Sequence, residues 1–80
     1  MEEIDWQTLA ITARRYAALS RVAKECDMQW QHVNRLARGD VAEPRFNSGL
    51  RLLAWAQARF TADELQRCRV FAEYRTRVSA

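Results

Sequence analysis

The side chains with the most to offer chemically lie between Gln29 and Arg38. At helical spacing, Gln29, Trp30, Gln31, His32, Asn34, Arg35 and Arg38 take the outward positions of one short segment, and Val33, Leu36 and Ala37 share its apolar face. Gln and Asn amides can pair bidentately with adenine, an Arg guanidinium with guanine O6 and N7, and all of them can hold a phosphate. The chemistry expected is therefore reversible hydrogen bonding to a nucleic acid. No catalytic constellation accompanies it. The chain has one histidine, no carboxylate pair in a pocket-forming context, no Gly-rich phosphate loop and no nucleophile–base pairing, so an enzyme is not expected. His32, Cys26 and Cys68 have no metal-ligand spacing, and no metal, cofactor or small-molecule ligand is expected.

Such a segment needs neighbours to hold it. Val22, Ala23 and Cys26 form the apolar face of a preceding helix, about Ser20 to Cys26, which ends at Asp27, a residue tolerated in the left-handed conformation that closes a turn. The outward segment is a third helix, Gln29 to Ala37, with Gly39 as its C-terminal cap. A first helix starts near Asp5 as N-cap and carries Trp6, Leu9, Ala10, Ala13, Tyr16 and Ala17 as its buried stripe. No Gly or Pro separates Trp6 from Cys26, so the first helix either runs on or turns a short corner; packing the second helix back on it needs a break, placed around Ala17–Leu19. After a loop from Asp40 to Phe46, Asn47 or Ser48 caps a fourth helix with Leu50, Leu53, Ala54 and Ala56 inward and Trp55 a further inward candidate, ending near Phe60. Thr61 and Glu64 form a capping box that opens a fifth helix running to about Arg77.

Composition agrees with this reading. Eighty residues, two Gly and one Pro imply one all-α domain over residues 1–80, a bundle of about five helices whose core is small enough that a dimer partner would add stability. About half the residues are hydrophobic and eight are aromatic, which excludes a disordered chain. No apolar run spans a bilayer, and the acidic start MEEIDW does not resemble a signal peptide, so a cytoplasmic protein without membrane contact is expected. Cys26 and Cys68, far apart and on apolar faces, read as small buried hydrophobes. The net charge of +3 is unevenly spread: −3 over residues 1–13, +5 over 14–59 and +1 over 60–80. Arg outnumbers Lys twelve to one, and its planar fork suits phosphate and guanine.

The stretch AKECDMQWQHVNRLARG resembles the helix-turn-helix of the phage lambda repressor and Cro family. Ala23 matches the small residue where the two helices touch, Met28 the apolar residue after the turn, and Val33 and Leu36 the inner face of the recognition helix. Asp27 stands where that family usually has Gly. The close match covers about twenty residues, placing the motif at about 19–38.

The resemblance implies that the third helix enters the DNA major groove, with Gln29, Trp30, Gln31, Asn34 and Arg35 as base readers. Arg21, Lys24, His32, Arg38, Arg45, Asn47 and Ser48 are then the phosphate-contact candidates. Trp30 has two readings, a contact to a thymine methyl or sugar edge, or a fold back onto the core beside Met28. The family binds as symmetric dimers, and the C-terminal helix (about 61–78) is the expected interface through Phe71, Tyr74 and Val78. The implied function is a Cro-like regulator binding a pseudo-palindromic double-stranded operator as a homodimer, its half-sites about 10 bp apart. The alternative is a small helical protein-interaction module, such as a phage-encoded inhibitor or antitoxin-like partner, acting without DNA.

Overall fold

Asp5 starts the first helix as its side chain predicts. In the computed structural model, which describes residues 4–70, α1 spans Trp6–Ala13. The Asp5 carboxylate accepts from the Thr8 backbone N–H at 3.1 Å and from its hydroxyl at 2.8 Å. These bonds satisfy an amide and a hydroxyl at the helix start. Four more helices follow, α2 (Leu19–Glu25), α3 (Trp30–Arg38), α4 (Phe46–Arg59) and α5 (Ala62–Arg67), so the described residues form an all-α bundle. None of these helices is long and apolar enough to cross a membrane.

α3 packs on α1 and α2, and α5 returns to α1. Leu9, Val22, Val33 and Leu36, with Leu52 of α4, are fully buried in one core cluster, and both thiols, Cys26 and Cys68, are free and buried in it. Burial pushes each thiol up to about 11. The Asp5 backbone N–H donates to the Cys68 carbonyl at 2.8 Å, tying the start of α1 to the end of α5. Thr61 opens α5 with the reciprocal capping box expected from its spacing to Glu64.

Three boundaries and the buried face of α4 depart from the sequence reading. α1 stops at Ala13, earlier than Ala17–Leu19, and the chain turns through Arg14–Tyr16 before α2. Tyr16 leaves the expected buried stripe and stacks on Phe60, with ring centroids 5.3 Å apart, while its hydroxyl donates to Glu64. No local breaker exists there; long-range packing ends the helix. α4 begins one residue before Asn47, its N-cap is Arg45, and neither Asn47 nor Ser48 caps it. Within α4, Leu50 is exposed and Leu52 is buried in its place, because Gly49, Leu52, Leu53 and Ala56 share the face turned to the core. Gly49 lets the backbone approach Pro44 and Trp6; an added Cβ would lie 3.1 Å from the Pro44 ring and 3.5 Å from the Trp6 ring. α5 ends at Arg67, well short of Arg77, because Arg69 takes φ 63° and the Val70 N–H turns back to the Leu65 carbonyl at 2.8 Å. Phe71, Tyr74 and Val78, the expected interface, lie outside the described residues.

Candidate nucleic-acid interface

The turn between α2 and α3 decides how α3 is presented. Asp27 adopts φ 54°, the left-handed conformation its type tolerates. The Asp27 N–H then donates to the Lys24 carbonyl at 3.2 Å and the Met28 N–H to the Ala23 carbonyl at 2.9 Å. This paired closure, with an apolar residue following the left-handed one, satisfies the last carbonyls of α2 and turns the chain sharply. Met28 is half-buried against the core, and Ala23, 2% exposed, leaves room for α3 to cross closely over α2. α3 ends by the same device: Gly39 has φ 80°, its N–H donates to Leu36, and the Asp40 N–H donates to Arg35. The Gln7 side chain of α1 donates to the Ala37 carbonyl at 3.4 Å, so α1 braces that end.

Held this way, α3 buries Val33, Leu36 and Ala37 and turns Gln31, Arg35 and Arg38 to solvent. Those three lie three to four residues apart, on one outer line of the helix. Asn34 is half-buried on one flank of that line and His32 half-buried on the other. Gln29 is exposed at the N-cap position, in extended backbone, with no side-chain capping bond. Trp30 occupies the first turn of α3 and is 50% exposed, so it is not part of the buried core. Four of the five expected base readers therefore sit on α3 and Gln29 at its N-cap, with Asn34 the least accessible of them.

The phosphate candidates divide by their partners. Arg21 pairs with Glu25 at 3.2 Å, and Arg38 reaches the Asp40 carboxylate through two nitrogens, at 2.9 and 3.2 Å. Lys24, Arg35 and Arg45 are exposed and have no acidic partner among the described residues. Asn47 is exposed and Ser48 half-buried at the start of α4.

Two features were not legible in the sequence. Arg51 of α4 approaches Asp27 at 3.9 Å, and its carbonyl lies 3.9 Å from the Cys26 thiol, so α4 backs the turn and places another guanidinium beside it. Glu25, the last residue of α2, gathers a cluster: its carboxylate accepts from Trp55 Nε1 at 2.6 Å, from Arg59 at 3.3 Å and from Arg21 at 3.2 Å. Arg59 lies over the Trp55 ring, 4.4 Å from its centroid, and Trp55 meets Phe60 edge-on. The Trp55 hydrogen bond, with the Arg21 hydrogen bond next, holds the Glu25 carboxyl below its ordinary range. Trp55 and Arg59 are 30 and 34 residues from Glu25 in the chain, beyond any local pattern, whereas Arg21 is its i,i+4 neighbour on α2.

Compared with known proteins, the chain matches no family model, no curated protein and no solved structure.

Proposed function

We propose that this chain is a sequence-specific DNA-binding regulator of the lambda repressor and Cro type. The observation that carries the reading is α3 itself: its apolar face is sealed against α1 and α2 while Gln31, Arg35 and Arg38 line the opposite face, with Asn34 and Trp30 beside them. A helix presented this way suits the roughly 12 Å wide major groove. Arg35 is assigned to guanine, and Gln31 and Asn34 to adenine. Lys24 and Arg45 are assigned to flanking phosphates, with Gln29, Arg21, Arg38, His32, Asn47 and Ser48 as further backbone contacts. Two copies on a pseudo-palindromic operator would repress by occluding polymerase in the bacterial cytoplasm.

Selection of sites from a random DNA pool tests this directly. The expected result is an enriched two-fold sequence, bound by the wild type and lost from a double Asn34→Ala, Arg35→Ala variant in a band shift. Equal, sequence-blind binding by both proteins would defeat the specific-readout assignment.

A second reading has one observation in its favour, the exposure of Trp30 at the start of α3. Large aromatics anchor protein interfaces. A protein that enriches no DNA sequence, yet loses capture of one host protein on Trp30→Ala, belongs to that class.

A further inference from the structure

The outer edge of α4 is apolar along its whole length. Phe46, Leu50, Ala54 and Ala58 follow one another at intervals of four, which aligns them as a single ridge on a 14-residue helix. Phe46 is 78% and Leu50 44% exposed, Ala58 is exposed and Ala54 partly so. No residue of the ridge is charged. It is also graded, with its two large side chains in the N-terminal half and its two small ones in the C-terminal half.

That grading points to one occupant. When α4 is laid antiparallel on a second α4 across a two-fold axis that passes between Leu50 and Ala54 of the ridge, Phe46 comes beside Ala58 of the other copy and Leu50 beside its Ala54. Each large side chain meets a small one, twice over, as an isologous contact requires. We propose that α4 is a self-association surface, and that the partner of the Phe46–Ala58 ridge is the same ridge of a second copy of this chain.

The extent of the surface sets the strength. A helix of this length is about 21 Å long. One such pair buries on the order of 600–800 Å² in total, below the roughly 1,200 Å² at which stable complexes begin. Contacts of that size are weak and transient ones, so association is sought up to a Kd of about 1 mM. Association needs no DNA, so this proposal and the DNA reading fail separately.

Sedimentation equilibrium of the full chain without DNA, up to about 1 mM protein to cover that Kd range, is the test. The wild type should shift from monomer to dimer with concentration. Phe46→Lys and Ala58→Glu, each at an exposed position and each checked for an unchanged thermal melt, should each weaken association tenfold or more. Mixed in equal amounts they should associate again, because the new charges face each other across the two-fold axis. A wild type that stays monomeric throughout, as it would if residues 71–80 or nothing at all covered the ridge, overturns the proposal. So does wild-type association by either variant, or a mixture no stronger than its components.

Discussion

Ala23 and Met28 are joined across the α2–α3 turn by a 2.9 Å backbone hydrogen bond, with Asp27 between them at φ 54°. The angle at which α3 leaves α2 depends on that closure, and with it the direction of Gln31, Arg35 and Arg38.

Asp27→Gly should therefore be tolerated. Glycine adopts this conformation without the Cβ penalty, and the exposed Arg51 contact it removes is long and weak. Stability in a urea titration should be unchanged or higher by up to about 1 kcal/mol, whereas Asp27→Val should lose about 1–2 kcal/mol. A Gly variant less stable than the Val variant would mean that the carboxylate, not the backbone, holds the turn.

Enlarging Ala23 should be costly. It is 2% exposed where α3 crosses α2, and Ala23→Leu has no space to fill. Overpacking of this kind typically costs about 1–3 kcal/mol. Chemical denaturation measures the loss, and a band shift on the selected operator should show weakened binding even under conditions where the variant remains folded.

Lys24 is an exposed cation of α2 without an acidic partner among the described residues. On the proposed DNA reading, about two to four phosphate contacts per copy would give a bound dimer a slope of log affinity against log salt of about −4 to −7. Lys24→Ala should make that slope shallower by about 1 for each copy bound and weaken all sequences alike. An unchanged slope would remove Lys24 from the interface.

Glu25 links stability to acid. Its folded carboxyl titrates below the ordinary 4.5 because Trp55, then Arg21, hydrogen-bond its charged form, with Arg59 adding its field. A lowered folded value means the contribution is fully present above the unfolded pKa and is lost as pH falls through the folded one. The stability difference between wild type and Glu25→Gln should accordingly shrink below about pH 4.5 and be flat from pH 6 to 8. A difference that grows on acidification contradicts the assignment.

The two thiols should be inert in the native protein. Both are buried with their pKa pushed up to about 11, so almost no thiolate exists at neutral pH and little of it is accessible. Alkylation monitored by mass should be slow in buffer and fast for both in denaturant. Rapid native modification at either site would show that its helix opens.

Short-range chemistry decided much of this protein before any tertiary contact. Asp5 and Thr61 cap helices with side-chain bonds to residues three positions away, and Asp27 and Gly39 close helices with backbone bonds inside one turn. Such features are complete within a few residues, so residue type and spacing disclose them. The apolar spacing of Ala23, Met28, Val33 and Leu36 likewise disclosed the helix pair and the outward face of α3. Three things waited for the fold. α1 stops at Ala13 because Tyr16 has Phe60 and Glu64 to meet, more than 40 residues away in the chain. Leu52 rather than Leu50 is buried because the run LRLLAWA is apolar at too many positions to set its own phase, and packing against Trp6 and Pro44 at Gly49 sets it instead. Arg69 ends α5 in a conformation that no Gly or Asn advertises, where the Cys68 carbonyl is held by Asp5. Burial and long-range hydrogen bonds outweigh small differences in helix propensity at these sites, and those forces exist only once distant segments have come together.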